Sequence, residues 1–133
     1  MNFSLTREQE LVRKMMQEFT ENEVKPIAAE IDRTHEYPAE NVAKMFKLGV
    51  MGMTVPKEYG GQGADTISSA IVAEELAKAC ASTSDIVAGH TLCCVPILEH
   101  GTEAQKVMYA KLSGLEQKKK FAANIAGVGR TGK

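Results

Sequence analysis

Apolar residues recur at every third or fourth position through most of this chain, and each recurrence is bracketed by residues that start or stop a helix. That period turns one side of a helix toward a core, whereas a half-buried strand needs strict alternation. Thr6 followed by Gln9 has the form of a capping box, in which each side chain satisfies the other's free backbone donor, and the stripe Val12, Met16, Phe19 comes next. The stripe resumes at Val24, Ile27 and Ile31. Pro26 lies within it and has no amide proton to donate, so a kink or short break is expected there. His35 to Tyr37 reads as a connector.

Pro38 suits a first helical position, and Val42, Met45, Phe46 and Leu48 form a face that stops at Gly49. From Val50 to Ala64 the pattern is irregular, with Gly52, Pro56, Gly60, Gly61 and Gly63 marking turns, and loops of this length are uncommon without a job. Asp65 or Thr66 caps a helix expected to reach about Cys80, with Ile67, Ile71, Val72, Leu76 and Ala79 inward. One of Ser82, Thr83, Ser84 and Asp85 is expected to cap the next helix, which carries Ile86, Val87, Leu92, Val95, Ile97 and Leu98, bends at Pro96 and ends at Gly101. Being nearly uncharged, it is expected to be buried on most sides. Thr102 with Gln105 makes a second capping box ahead of Val107, Met108, Tyr109 and Leu112, with a stop at Gly114. No segment alternates β-branched or aromatic residues with polar ones. The expected fold is all-α, an up-and-down bundle of about five or six helices over residues 1–114, followed by a divergent, flexible tail over 115–133.

Net charge separates the remaining classes. With 16 Lys plus Arg against 17 Asp plus Glu, the net charge of −1 gives no field that draws the chain to nucleic acid or to an anionic membrane. The 44% apolar and 25% charged content fits one soluble core, which at this length hides roughly two thirds of the unfolded surface. Met1 to Arg7 shows no apolar signal region. The longest charge-free apolar stretch, Ile86 to Leu98, falls short of the roughly 20 residues of a spanning helix. The three cysteines, Cys80, Cys93 and Cys94, show no paired spacing, which suits a reducing compartment, so a cytoplasmic location is expected.

Local groupings that could carry chemistry are thin. His90, Cys93 and Cys94 share one helical face but need a fourth ligand from Cys80 or His100, and buried cysteines more often serve as small apolar groups, so no metal site is expected. Glu74 and Glu75 point about 100° apart on a helix and cannot act together on one substrate; solvation, or a salt bridge to a neighbouring helix, suits them better. Met15, Met16, Met45, Met51 and Met53 suit irregular core gaps. Lys118 to Lys120 reads as a solvated run. Gly127-x-x-x-x-Gly132-Lys133 has phosphate-loop spacing without the strand and helix such a loop requires.

Several ordered stretches together resemble the acyl-CoA dehydrogenase family, closest to its bacterial short-chain, butyryl-CoA type. They are Leu5 to Phe19, Val24 to Ile31, Leu48 to Gly52, Val55-Pro56-Lys57-Glu58-Tyr59-Gly60-Gly61-Gln62-Gly63, Ala73 to Ala77, and Gly101 to Lys106 with Tyr109 and Leu112. The resemblance runs from Met1 to about Gly114 and implies the N-terminal helical domain of that fold. It implies an enzyme that takes a proton from Cα of an acyl thioester, passes a hydride from Cβ to FAD and leaves a trans-2-enoyl-CoA, with acyl-CoA and electron-transfer flavoprotein as partners. In the family the carboxylate base comes from a C-terminal helical domain, and flavin contacts come from a Thr-Glu-Pro stretch entering a β domain. After Leu112-Ser113-Gly114-Leu115-Glu116 this sequence departs from that pattern, so a truncated or frame-disrupted copy, or a fragment, inert by itself, is expected. No catalytic residue is therefore assigned, and the flavin-binding residues stay unassigned. The family's acyl-pocket floor maps onto Ser84, Ala88, Gly89 and Leu92, with Asp85 where an aliphatic residue is more usual. The alternative is a non-catalytic helical interaction module. In either case missing neighbours would leave apolar surface exposed, so a homo-oligomer is expected.

Overall fold

The computed structural model describes residues 4–112, and among them every regular element is helical. The helices are α1 (Arg7–Phe19), α2 (Lys25–Thr34), α3 (Ala39–Leu48), α4 (Thr66–Ala77), α5 (Ala81–His100) and α6 (Glu103–Leu112). The expected helical bundle is thus the observed one. The tail over 115–133, with its lysine run and glycine-spaced end, and the stop at Gly114 lie outside the described residues.

Both capping boxes form. Gln9 N–H donates to Thr6 Oγ1 at 3.2 Å while Thr6 N–H donates to Gln9 Oε1 at 2.9 Å, and Thr102 with Gln105 repeats the pattern at α6. Gln9 does a second job that spacing could not reveal. Its side-chain amide donates to Asp65 Oδ2 at 2.6 Å, while Asp65 Oδ1 accepts from Ser68 N–H, so one carboxylate caps α4 and ties its start to α1. Those two hydrogen bonds hold the Asp65 carboxyl below its ordinary range, the Ser68 bonds acting most.

At Pro26 the chain neither breaks nor leaves the helix. Thr20–Val24 widens into a π-helical turn, with Lys25 N–H donating to Thr20 O, and α2 restarts with proline in its first turn. A wider turn gives room to the ring and spends the missing donor where the ladder is already interrupted. Gly49 closes α3 with φ of 82°, a conformation open to glycine at little cost.

The stretch Val50 to Ala64 is folded upon itself. Two short 3-10 turns, Val50–Gly52 and Lys57–Tyr59, are cross-linked by Gln62 N–H to Gly52 O, Gly63 N–H to Val55 O and Ala64 N–H to Met53 O. Val50, Met51, Met53 and Val55 are buried, so this loop is part of the core. The main cluster joins Met16, Phe19 and Val24 to Val42, Met45, Val72, Leu76, Cys80 and Val87, and Met51 and Met53 close it from the loop. Methionines fill the irregular spaces where helices and loop meet, as expected.

Several expectations fail. Ile67 is half exposed rather than inward, because α4 turns Ser68, Ile71, Val72 and Leu76 toward the bundle and leaves Ile67 at the edge of that face, and Leu48 on α3 is exposed as well. The start of α5 is not capped by Ser82, Thr83, Ser84 or Asp85. Cys80 occupies the cap position without a side-chain bond, α4 ends earlier at Ala77, and the hydroxyl of Ser84 is drawn to α4 instead. Finally, α5 is not buried on most sides: Ala88, Gly89, Leu92, Cys93, Val95 and Pro96 are all exposed. Starting at Ala81 makes α5 20 residues long, enough by length and composition for a membrane span, though Ser84 and Val87 are packed into the bundle.

Candidate functional site

The exposed side of α5 is the natural place to look for a site, because it is apolar and nothing among the described residues covers it. Ser84 Oγ donates to Ala73 O of α4 at 3.0 Å, which fixes how α5 is rotated against its neighbour. With Thr83, Val87 and Cys94 buried on the same inner side, Asp85, Ala88, Gly89, Leu92 and Pro96 fall together on the outer one. Of the four residues expected to line an acyl site, Ala88, Gly89 and Leu92 therefore share an open strip. Ser84 is turned into the α4 interface and acts there as a packing bond. Leu92 is 75% exposed, and a methyl group added at Gly89 would meet nothing within 4 Å. The strip could accept an apolar chain laid against it.

Sequence pattern alone missed how far this surface extends. Val95 on α5 and Val107 and Met108 on α6 are also exposed. The available signal was the lack of any compensating polar residue at those positions. A depression of about 490 Å³ on α6 is lined by Glu103, Ala104, Val107 and Met108, and another of about 310 Å³ lies between α2 and α3 around Ile31, Tyr37 and Pro38. Neither is lined by Ala88, Gly89 or Leu92.

The strip fits an acyl chain better than the phosphate end of a cofactor. Between Asp85 and Glu99 it carries no Lys or Arg, so the FAD implied by the resemblance would find no partner for its pyrophosphate on α5.

His90, Cys93 and Cys94 do not converge on a metal. Cys93 is exposed, while Cys94 is buried with its sulfur 3.0 Å from the Tyr109 hydroxyl. The His90 ring packs edge-on to Phe46 at 5.8 Å and tilted against Tyr109 at 6.2 Å. Among the described residues no group of three potential ligands comes together. Burial pushes the Cys94 thiol up, and burial with the Cys94 contact pushes the Tyr109 phenol up, so both stay protonated at neutral pH.

Glu75 is buried and, as its spacing suggested, reaches a neighbouring helix. Its Oε1 lies 2.8 Å from Lys78 Nζ, 3.3 Å from Gln17 Nε2 and 3.9 Å from Arg13 Nε. The cluster pins α4 to α1, and Glu74 instead meets Lys78 at 3.2 Å. Nearer the loop, Tyr59 donates to Glu103 Oε2 at 2.6 Å. That bond is the main cause of a Tyr59 pKa raised to about 12 and of a lowered Glu103 carboxyl.

Residues 6–113 match the model of the acyl-CoA dehydrogenase N-terminal domain. A short-chain-specific acyl-CoA dehydrogenase of Clostridium acetobutylicum is 57% identical over 110 residues, covering 82% of this chain and 29% of that protein. Butyryl-CoA dehydrogenase from Megasphaera elsdenii has the same fold with a TM-score of 0.78 and 32% identity, over 90% of this chain and 32% of that one. A chain in the structure of the electron transferring flavoprotein of Acidaminococcus fermentans gives 0.79 and 36%, over 86% of this chain and 30% of that one. The chain thus spans under a third of the length of the relatives it matches. Its helix order, its cap signals and this shared sequence place it in the acyl-CoA dehydrogenase family, as the N-terminal helical domain.

Proposed function

We infer that this domain forms one wall of the acyl site in an FAD-dependent, short-chain acyl-CoA dehydrogenase acting in the cytoplasm. The observation that carries the reading is the uncovered strip Ala88, Gly89, Leu92 on α5, held in place by the Ser84 bond to α4. Its part in catalysis is positional. A smooth apolar wall orients the acyl chain and excludes water, so that a base and a flavin supplied by other parts of the enzyme can act on opposite faces of the Cα–Cβ bond. Electron-transfer flavoprotein is the partner that takes up the electrons. In the family both reacting groups come from other domains, so these 133 residues alone are expected to be catalytically inert.

The test is a chimera in which residues 6–113 replace the matching part of the Clostridium acetobutylicum relative. It should bind flavin and oxidise butyryl-CoA, and Gly89→Leu within it should shift preference toward shorter acyl chains without loss of flavin. Isolated chain should show no flavin absorbance and no butyryl-CoA oxidation. A flavin-loaded chimera whose chain-length preference ignores Gly89→Leu would remove the strip from the acyl site, and turnover by the isolated chain would overturn the whole assignment.

The same exposed residues favour a second property. Leu92, Val95, Val107 and Met108 left uncovered promote self-association, so the isolated chain should sediment as an oligomer.

A further inference from the structure

Helix α6 is held to the bundle by few side chains. At its start Glu103 accepts from Tyr59, and near its end Tyr109 lies against His90 and Cys94. His90 is the central piece of that second attachment, wedged between Phe46 of α3 and Tyr109 of α6. Its Nε2 is buried and has no hydrogen-bond partner. We propose that His90 is a proton-operated latch: when its ring gains a proton, the junction of α3, α5 and α6 opens and the Tyr109 end of α6 leaves the bundle.

The physical reason lies in what surrounds the ring. From α3 it meets Phe46, which is uncharged, while Lys44 is engaged by Glu23 and Lys47 is exposed. From α6 it meets Tyr109, and one turn earlier Lys106 is bonded to Glu103 at 3.0 Å. On α5 itself Cys94 is a buried thiol bonded to Tyr109, and Cys93 and Asp85 are exposed. Among the described residues no carboxylate therefore stands ready to receive an imidazolium, and burial holds His90 below the ordinary histidine value of 6.5. Protonation would leave the buried Nε2–H charged and unpaired between Phe46 and Tyr109, a cost that is relieved when those ring contacts open.

The direction follows from linkage. The folded state binds this proton less readily than the unfolded state, so His90 contributes its full stability above pH 6.5, and that contribution is lost as pH falls below 6.5 toward the lowered folded value. Glu103, lowered from 4.5, keeps its bond to Tyr59 through this window, so the two attachments of α6 release at different pH.

Hydrogen exchange on the full 133-residue chain, measured above and below pH 6.5 and corrected for intrinsic rates, tests the latch. Amides of α6 should exchange roughly tenfold faster relative to those of α4 at the lower pH, and His90→Phe should abolish that excess. An NMR titration of the His90 ring supplies the independent reading: it should titrate below the ordinary histidine value of 6.5. The latch is refuted if His90 titrates at or above that value, if α6 and α4 respond alike, or if the excess survives in His90→Phe. Should His90→Phe fail to fold, His90→Gln and the wild-type titration decide the same question.

Discussion

Gly61→Ala is expected to lower stability by about 3 kcal/mol, with a fall in melting temperature of roughly 10 to 20 °C. A Cβ built at Gly61 lies 1.9 Å from the carbonyl oxygen of Val55 and 2.5 Å from its Cβ. Contacts that short require backbone to move. Val55 has little freedom to yield, since it is buried against Cys94 with Tyr59, Leu98 and Tyr109 around them, and its carbonyl accepts from Gly63 N–H. The damage should thus spread to the α5–α6 junction. Gly63→Ala is the useful comparison. Gly63 has φ of 62° but its nearest neighbour would be 3.5 Å from the added carbon, so only left-handed strain of about 1 kcal/mol is expected. Urea or thermal unfolding of both variants reads the difference, and a Gly61→Ala protein within 1 kcal/mol of its parent would show that the loop relaxes freely.

Leu76→Ala should cost about 3 to 4 kcal/mol. Leu76 has 0% exposure near the C-terminal end of α4 and belongs to the cluster that joins α1, α3 and α5, so its removal leaves a hole that several packed elements cannot all close. Ile67→Ala, on the same helix and the same predicted stripe, should change stability by under about 1 kcal/mol because Ile67 is 53% exposed. Unfolding midpoints of the pair discriminate sharply. Equal losses at the two positions would mean that Ile67 is packed in solution, and that α4 is rotated from the arrangement described above.

The pair also shows what was legible beforehand. Periodicity selected Ile67, Ile71, Val72, Leu76 and Ala79 as one face, and the bundle uses the last four. Ile67 lies at the edge of that face, and spacing alone does not report where the packed arc ends. The serines and threonine at the start of α5 show a related limit. Ser84 has the chemistry of a cap, but α4 offers its Ala73 carbonyl at 3.0 Å, and that tertiary bond competes with the local one. The residues expected to line an acyl site divide for the same reason. Ala88, Gly89 and Leu92 were placed by resemblance and sit together on the open strip, whereas the rotation that buries Ser84 is a property of the α4–α5 contact.

Local chemistry written into consecutive residues was sufficient for the two capping boxes, the Asp65 cap, the Gly49 stop and the helical class of the whole, because each depends on neighbours no more than a turn or two away. The packed loop from Val50 to Ala64, the Glu75 cluster linking α1 to α4, the Gln9–Asp65 tie and the uncovered side of α5 were decided only when distant elements met. Which side of a helix is wet is a relation between surfaces: an apolar stripe states that a partner is needed, and only the assembled bundle shows where one is present.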